Sequence, residues 1–172
     1  MNKKLTLRKY RLSDLKIIYR LFANDNVLKN LSLSKRAKEV SIKEEKEWIK
    51  EVLKEYKRKK REQLHLAVVV NGEIVGSIGA KEIDYKNQKA EMGYWFGEEY
   101  WGKGYATEAI KKFSKILIKE YKLVRIEAFP YSRNIASQRV LEKAGFKLEG
   151  ERKKAVKKFG KFMDDKIYAL VK

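Results

Sequence analysis

Hydrophobic residues alternate with polar ones, or run together, in several short segments of the chain that predict β-strands. Leu5 and Leu7 alternate with polar neighbours, and a longer apolar run follows at residues 64–70. Asn71-Gly72 is a strong hairpin signal, because both residue types tolerate the positive φ of a tight turn. In chain order the predicted strands are residues 5–8, 64–70, 73–84, 90–96 and 124–128, with a strand pair over 146–171 that turns near Gly160.

Apolar residues spaced three and four apart predict four helices among these strands. The first begins at Ser13 and Asp14, and the second begins with Ser41 and Glu44, which form a capping box. The second is predicted to end in the basic run 57–61, where cations suit the helix dipole. The others are predicted at 106–120 and at 134–144, stopped by Gly145, and residues 24–30 are predicted as a loop or broken turn.

The apolar faces of the first three helices define the predicted core. They are Leu15, Ile18, Tyr19 and Phe22; Trp48, Ile49, Val52, Leu53 and Tyr56; and Ala109, Ile110, Phe113, Ile116 and Leu117. No repeat or linker interrupts the series of elements. The order therefore predicts a single α/β domain (α+β, with a mixed sheet) over residues 1–172, built in three layers.

Charge narrows the range of partners. The 42 Lys and Arg residues outnumber the 23 Asp and Glu residues, which gives a formal net charge of +19. A field of this size attracts polyanions such as nucleic acid, the ribosome, anionic lipid or a multiply phosphorylated cofactor, and it repels small polycations. A solubilising surface in a Lys- and Glu-rich host explains the same charge. Both explanations stay open at this stage.

Composition also excludes several classes of site. The chain has no cysteine, so disulfides, thiolate nucleophiles and thiolate metal sites are excluded. Its single histidine leaves no standard zinc set and no Ser-His-Asp triad with a spare histidine, and we expect no metal. The apolar runs are too short to span a bilayer, and no signal peptide opens the chain. We therefore expect a cytoplasmic protein that does not enter the membrane.

The segment from Trp101 to Thr107 lies between a predicted strand and a predicted helix. Gly102 and Gly104 let backbone amides turn outward, and the start of the helix adds partial positive charge. Together they predict a nest for phosphate oxygens, with Lys103 as a nearby cation. The glycine spacing fits neither a Walker loop nor the dinucleotide fingerprint. By itself the segment is also compatible with a simple tight turn.

A second segment strengthens this interpretation. It contains Asn134, Ser137 and then Gly145-Phe146, and it begins 32 residues (134 − 102) after the first loop glycine. With both segments in this order, the chain resembles the GNAT superfamily of N-acetyltransferases over nearly its whole length. The first segment is similar to the Gln/Arg-x-x-Gly-x-Gly/Ala signature, with Trp101 where Gln or Arg is commonest. Residues 91–95, 100–109 and 144–146 resemble the ribosomal-protein N-terminal acetyltransferase branch, of RimJ and RimL type.

The resemblance implies a mostly antiparallel central sheet whose two parallel central strands, here residues 90–96 and 124–128, splay to admit acetyl-CoA. The backbone of Trp95, Phe96 and Gly97 would pair with the pantetheine arm, and Asn134 and Ser137 would hydrogen-bond the arm or the sulfur. The loop would hold the pyrophosphate. Its residues are Trp101, Gly102, Lys103, Gly104, Tyr105, Ala106 and Thr107.

Catalysis in this family needs no covalent intermediate, which suits a chain without cysteine. The resemblance implies that Glu91 deprotonates the amine through water, with an ordinary solvent-facing carboxylate as the alternative. The Trp95 backbone amide would stabilise the oxyanion. Several members carry a Tyr acid seven residues after the asparagine, but Leu141 stands here. That role passes to Ser137, to water or to no group.

The acceptor implied by the branch is the α-amine of a protein, such as a ribosomal one. A small-molecule amine (a polyamine, an antibiotic or an amino acid) is the alternative, and a non-catalytic ribosome- or RNA-binding module is the alternative of another class. The oligomeric state stays open between monomer and homodimer. Tyr131 and Arg133 are predicted near the acceptor entrance, and His65 in its apolar strand is predicted to be structural.

Overall fold

A computed structural model describes residues 4–172 and shows one mixed sheet of seven strands in the order β1-β2-β3-β4-β5-β7-β6. Adjacent strands are antiparallel except β4 and β5, which are parallel. The predicted fold class is confirmed. The strands are β1 Leu5–Arg8, β2 Leu64–Val70, β3 Glu73–Asp84, β4 Lys89–Phe96, β5 Arg125–Ala128, β6 Lys147–Lys158 and β7 Lys161–Val171.

Helices cover both faces of this sheet. They are α1 Leu15–Phe22, α2 Asp25–Leu28, α3 Ile42–Glu55, α4 Tyr105–Glu120 and α5 Ile135–Lys143. One buried cluster joins α4 and α5 to the sheet, and a second cluster joins α1 and α3 to it. Val68 belongs to the first cluster and its neighbour Val69 to the second, because successive side chains of a strand point to opposite faces. The domain therefore has three layers.

Local signals in the sequence account for most element boundaries. The β2–β3 hairpin turns at Asn71 and Gly72, whose φ angles of 51° and 89° lie in the left-handed region. Ser41 and Glu44 form the predicted capping box at the start of α3. Gly145, with φ of 99°, follows the end of α5 as predicted.

Two predicted boundaries need correction. Helix α3 ends at Glu55, so the basic run 57–61 lies beyond the helix and not within it. The apolar stripe of α3 ends at Tyr56, and adjacent cations repel each other in a further helical turn. Residues 24–30, predicted as a loop or broken turn, contain α2. Asn24 caps this short helix, because its side-chain oxygen accepts hydrogen bonds from the amides of Asn26 and Val27.

The parallel pair β4–β5 parts at one end. Its paired positions are Lys89 with Arg125, Ala90 with Ile126 and Glu91 with Glu127. Strand β4 then continues to Phe96, whereas β5 ends at Ala128. The splay of the two central strands is confirmed, and it opens a gap at their carboxyl ends.

Among residues 4–172, no helix combines the length and the apolar character needed to cross a membrane.

Candidate active site

The β4 wall of the gap presents backbone groups of alternate residues. Gly97 donates its amide to the Val75 carbonyl of β3 (3.0 Å), and Trp95 is in register with Ser77 of β3. Since alternate residues of an antiparallel strand face the same neighbour, the Trp95 and Gly97 amides both face β3. The amides along the gap belong to Tyr94 and Phe96. The Trp95 and Gly97 amides were expected to face the pantetheine arm, but they point towards β3 and away from the gap.

Trp101 closes part of this wall. Its indole Nε1 donates to the Phe96 carbonyl (2.9 Å), which lies on the gap side of β4. The side chain is 43% exposed, so it lies at the surface of the gap. This hydrogen bond therefore connects the glycine loop to Phe96, the last residue of β4. It also means that the Phe96 carbonyl already accepts a hydrogen bond within the protein.

The glycine loop combines open space with backbone amides, the groups that bind phosphate oxygens at helix N-termini. Gly102 and Gly104 have φ angles of 72° and 80°, and a Cβ added to either would meet nothing within 4 Å, so the space beside both is open. Gly104 caps the 16-residue helix α4. The amides of Ala106 and Thr107 lie in the first turn of α4, where helix N–H groups have no intrahelical acceptor.

Lys103 does not extend over this loop. Its Nζ donates to the Glu99 carbonyl (2.7 Å) and lies 5.4 Å from the centre of the Tyr100 ring. Both residues belong to a short 3-10 turn at Glu98–Tyr100. The cation predicted to approach the phosphates therefore rests on the preceding turn.

Helix α5 supplies the opposite wall of the gap. Asn134 caps the helix, because its Oδ1 accepts a hydrogen bond from the Ser137 amide (3.1 Å). The side-chain oxygen of Asn134 is thus occupied by the cap, and its Nδ2 is the group that can donate to a ligand. Asn134 and Ser137 therefore lie together at the start of α5.

Tyr94 reaches across the gap to this helix. Its hydroxyl lies 2.7 Å from Ser137 Oγ and 3.3 Å from the Ser137 carbonyl. Burial raises the pKa of Tyr94 to about 12, against a smaller opposing effect of the hydrogen bond to Ser137. Sequence reasoning missed this residue as a functional group. The signal was available, because Tyr94 shares a strand face with Ala90 and Met92.

Leu141 is fully buried in the core on the α4 side of the sheet. It has no polar atom, so position 141 contributes packing and no proton donor. The hydroxyl groups near the gap come instead from Tyr94 on β4 and Ser137 on α5.

Glu91 lies on the other face of β4. Its neighbours Ala90 and Met92 are buried under α4, so the Glu91 side chain points away from that helix. It forms an ion pair with Lys81 (2.9 Å), and its side chain is 26% exposed. It also lines a cavity of about 210 Å³ that opens on this face. The cavity residues are Glu82, Lys89, Ala90, Glu91, Glu127, Phe129 and Arg152.

Arg152 contributes a guanidinium group to this cavity. It donates to both carboxylate oxygens of Asp165 (2.8 and 2.6 Å), and its guanidinium lies 4.1 Å from the centre of the Phe129 ring. The hydrogen bonds that Arg152 donates to Asp165 raise the pKa of Arg152, with smaller contributions from Glu91 and Glu127. Arg152 therefore stays charged and fixed beside Glu91. No short sequence motif predicts that the distant strand β6 contributes to this cavity.

Three further predicted residues have defined positions. Tyr131 donates its hydroxyl to the Leu31 carbonyl (3.2 Å), and Arg133 donates to the Lys29 carbonyl (2.6 Å). Both therefore hold the segment that follows α2. His65 packs edge-on against Trp48, with ring centres 5.5 Å apart, and burial lowers its pKa to about 4. Its Nε2 lies 3.2 Å from Gln63 Oε1. Within residues 4–172 no group of three or more potential metal ligands is found.

Comparison with known proteins agrees with this geometry. Residues 4–147 match the sequence profile of the acetyltransferase (GNAT) domain. The uncharacterized N-acetyltransferase YoaA of Bacillus subtilis is 30% identical over 169 residues, which cover 98% of this chain and 94% of that protein. The structure of the Microcin C7 self immunity acetyltransferase MccE in complex with acetyl-CoA and AMP is 25% identical, with a TM-score of 0.88, and the match covers 99% and 94% of the two chains.

The fold is also shared with the RimL ribosomal L7/L12 α-N-protein acetyltransferase in complex with coenzyme A. That structure has a TM-score of 0.87 at 22% identity, and the match covers 99% of this chain and 95% of that one. The resemblance to the GNAT superfamily is thus confirmed, and the likeness to RimL at 22% identity shows a shared fold. The family profile, the full-length relative and the splayed sheet lead to one conclusion. The chain belongs to the GNAT family of acetyltransferases.

Proposed function

We propose that this protein transfers the acetyl group of acetyl-CoA to the α-amine of a protein or peptide, by direct attack in a ternary complex. One observation carries this proposal. Glu91 lies on one face of β4, the Tyr94–Ser137 hydroxyl pair lies on the other, and both are close to the point where β4 and β5 part. Groups that can accept and donate a proton therefore flank the gap on opposite sides.

The gap and the glycine loop suit acetyl-CoA. Outward amides and the N-terminus of α4 favour pyrophosphate, and the gap-facing amides of Tyr94 and Phe96 favour the amide-rich pantetheine arm. When bound, acetyl-CoA supplies the acetyl group as a thioester. The net charge of +19 favours association with this polyanion.

The base in this proposal is Glu91, which removes a proton from the incoming ammonium through a water molecule. An α-amine has a pKa near 7.7–8.0, whereas a lysine side chain has a pKa near 10.4, so the α-amine is much more often neutral at pH 7. A single carboxylate is therefore sufficient to remove the proton of an α-ammonium group, which is more acidic than a lysine ammonium group. The cavity beside Glu91 is large enough for several waters or for a terminal residue.

Two groups on the gap side stabilise the developing charge. The Tyr94 or Phe96 amide donates to the carbonyl oxygen as it gains negative charge, which replaces the role first expected of Trp95. Ser137, in contact with the Tyr94 hydroxyl, donates a hydrogen bond to the departing sulfur. Tyr94 keeps its proton over the working range because burial raises its pKa to about 12. It therefore acts as a fixed dipole that orients the Ser137 hydroxyl.

An acceptor panel at saturating acetyl-CoA tests the proposal. We expect peptides with a free N-terminus to exceed spermidine in kcat/KM, and the same peptides with a blocked N-terminus to be inert. A basic protein repels spermidine, and added salt screens that repulsion, with a Debye length of about 10 Å at 0.1 M. A preference for spermidine, with a rate that falls as salt rises, would contradict the α-amine assignment and indicate a small-molecule acetyltransferase.

A further inference from the structure

The tip of the β6–β7 hairpin is fastened to the end of α2. Lys158 is buried, and its Nζ donates to the carbonyls of Leu28 (2.6 Å) and Leu31 (2.5 Å). Arg133 donates to the Lys29 carbonyl between them (2.6 Å). Carbonyls at a helix C-terminus lack intrahelical donors and attract cations. The segment after α2 is therefore held from two sides, by the hairpin and by the residues that lead into α5.

Cations surround an exposed aromatic ring at this tip. The Phe159 side chain is 51% exposed, with the Arg36 guanidinium 5.8 Å and the Lys158 ammonium 5.7 Å from the ring centre. Phe159 has a φ of 47°, a conformation that costs energy for a bulky residue. We name Arg36, Arg133, Lys158 and Phe159 the hairpin cluster.

The side-chain cations of this region form no ion pair in the part of the chain that the structure describes, and the nearby Glu39 carboxylate accepts a hydrogen bond from the Arg36 backbone amide instead (2.6 Å). Within residues 4–172, no cation at this tip has a carboxylate oxygen within 4.0 Å of its side-chain nitrogen atoms. These cations are Lys29, Arg36, Arg133, Lys157, Lys158 and Lys161. Burial and the nearby Arg133 both lower the pKa of Lys158, in that order of size, so the cations also repel each other. Such a concentration of uncompensated charge is costly and suits an anionic ligand.

The hairpin cluster is connected to the cavity that contains Glu91. Arg152 of that cavity binds Asp165, and Asp165 forms a β-bridge with Tyr131. Tyr131 then donates to the Leu31 carbonyl, which also binds Lys158. Lys158 lies six residues (158 − 152) after Arg152 on β6, which is about 20 Å along an extended strand. A chain that begins with its amine at Glu91 and follows this hairpin therefore reaches the cluster after about six residues.

We propose that the hairpin cluster binds acidic side chains that follow the N-terminal residue of the acceptor, so that the enzyme selects acidic N-terminal segments. This inference rests on the proposed function and deepens it. Arg36 and Arg133 pair with the carboxylates of the peptide, because a planar guanidinium group can donate two parallel hydrogen bonds to one carboxylate. Phe159 packs against the aliphatic part of the peptide. The cluster is small, and its Lys158 and Phe159 lie on the same hairpin as Arg152 of the acceptor cavity, which favours a short peptide segment over a long nucleic acid.

The test compares three peptides of equal length that carry Glu, Gln or Lys at positions five to seven and the same first four residues. Rates are measured at saturating acetyl-CoA. We expect kcat/KM for the Glu peptide to exceed that for the Lys peptide by about tenfold or more, because several exposed ion pairs act together. The double variant Arg36→Glu with Arg133→Glu should abolish or reverse this preference.

A matched control separates the cluster from the overall charge. Lys115→Glu with Lys119→Glu changes the net charge equally, on the exposed surface of α4, and should keep the preference for the Glu peptide. If the double cluster variant is unstable, Arg36→Gln retains the Arg133 contact with Lys29 and should reduce the preference by about threefold.

Equal use of all three peptides by the wild type would overturn the inference, and so would a control pair that loses the preference as fully as the cluster pair. A rate that single-stranded RNA lowers for all three peptides alike, with no preference among them, would contradict it in favour of nucleic acid binding. Failure of the proposed function has a different signature, because then even the Gln peptide is not acetylated.

Discussion

The Tyr94 hydroxyl lies 2.7 Å from Ser137 Oγ and joins strand β4 to helix α5 across the gap between the splayed strands. If this pair assists the departing thiolate, Tyr94→Phe and Ser137→Ala should each lower kcat by about tenfold, with little change in the KM for acetyl-CoA. The two losses should not add in the double variant, since both remove one hydrogen-bonded unit. Steady-state kinetics of the four proteins measures this.

Tyr121→Phe is the matched control, because this tyrosine also forms a hydrogen bond, with Arg61, but at the far end of α4. We expect it to keep the wild-type kcat. Additive losses in the Tyr94 and Ser137 cycle would mean that the two hydroxyl groups act separately, and an unchanged kcat would show that the pair is only structural.

Gly104→Val should abolish the rise in Tm that coenzyme A produces. Gly104 has a φ of 80° and caps α4, so a β-branched residue strains the backbone and shifts the amides of the loop. Because a ligand that binds only the native state stabilises it, the wild type should show a clear Tm shift at millimolar coenzyme A. Thermal unfolding with and without coenzyme A checks both statements.

Gly72→Val provides the comparison for backbone strain alone. Gly72 has a φ of 89°, has equally open surroundings and lies in the β2–β3 turn. Both variants should lower the Tm by similar amounts, with about 1–2 kcal/mol of strain each, but only Gly104→Val should lose the response to coenzyme A. Loss of the response in both variants would mean that the loop is not specifically required.

Glu91→Gln should lower kcat by about 100-fold at neutral pH if the carboxylate removes the proton of the acceptor. The deficit should shrink as pH rises towards the pKa of the α-amine, near 7.7–8.0, because more of the amine is then already neutral. The pH profile of kcat for the wild type and the variant measures this trend.

Lys81→Gln distinguishes loss of the base from loss of the ion pair. It removes the partner that lies 2.9 Å from Glu91 but keeps the carboxylate. We expect it to retain activity within a few fold of the wild type. A deficit for Glu91→Gln that is the same at every pH, or one that Lys81→Gln reproduces, would assign Glu91 a structural role.

His65 should make folding stability depend on pH in mildly acidic solution. Burial lowers its pKa from 6.5 to about 4, so between these values the unfolded chain binds a proton that the folded protein does not. This contribution is fully present above pH 6.5 and is lost as pH falls, with about 2 kcal/mol lost by pH 5. Urea unfolding at several pH values measures the loss.

The assignment is direct because the chain contains a single histidine. In His65→Gln, the free energy of unfolding should be nearly constant between pH 6.5 and 5, although lower than that of the wild type at pH 8. An equally steep loss in the variant would assign the pH dependence to carboxylates instead.

Local sequence signals were enough to predict most of the fold. The Asn71-Gly72 turn, the capping box of Ser41 with Glu44 and the stop at Gly145 act through neighbouring backbone, so their effects can be read from short segments. The end of α3 was less predictable, because basic residues such as Lys57 occur both in last turns and in the loops beyond them. Asn24 posed the same difficulty, since asparagine favours both turns and helix caps.

The site was predictable where it depends on one segment and less so where it depends on several. Gly102 and Asn134 belong to a local loop and a helix cap, so short segments are enough to predict their backbone conformation. The direction of the Trp95 amide depends on the register with β3, and a shift of one residue would reverse it. Arg152 joins Glu91 only because β6 and β7 fold back onto β5, a long-range pairing that no short motif encodes.

The most direct test of the central claim is the position of the acetyl group on a peptide that contains both a free N-terminus and a lysine. The peptide is incubated with the protein and acetyl-CoA, and tandem mass spectrometry then locates the modification. We expect acetylation of the α-amine alone, dependent on the protein and reduced in Glu91→Gln. Acetylation of the lysine side chain alone, or no acetylation at millimolar acetyl-CoA, would contradict the account.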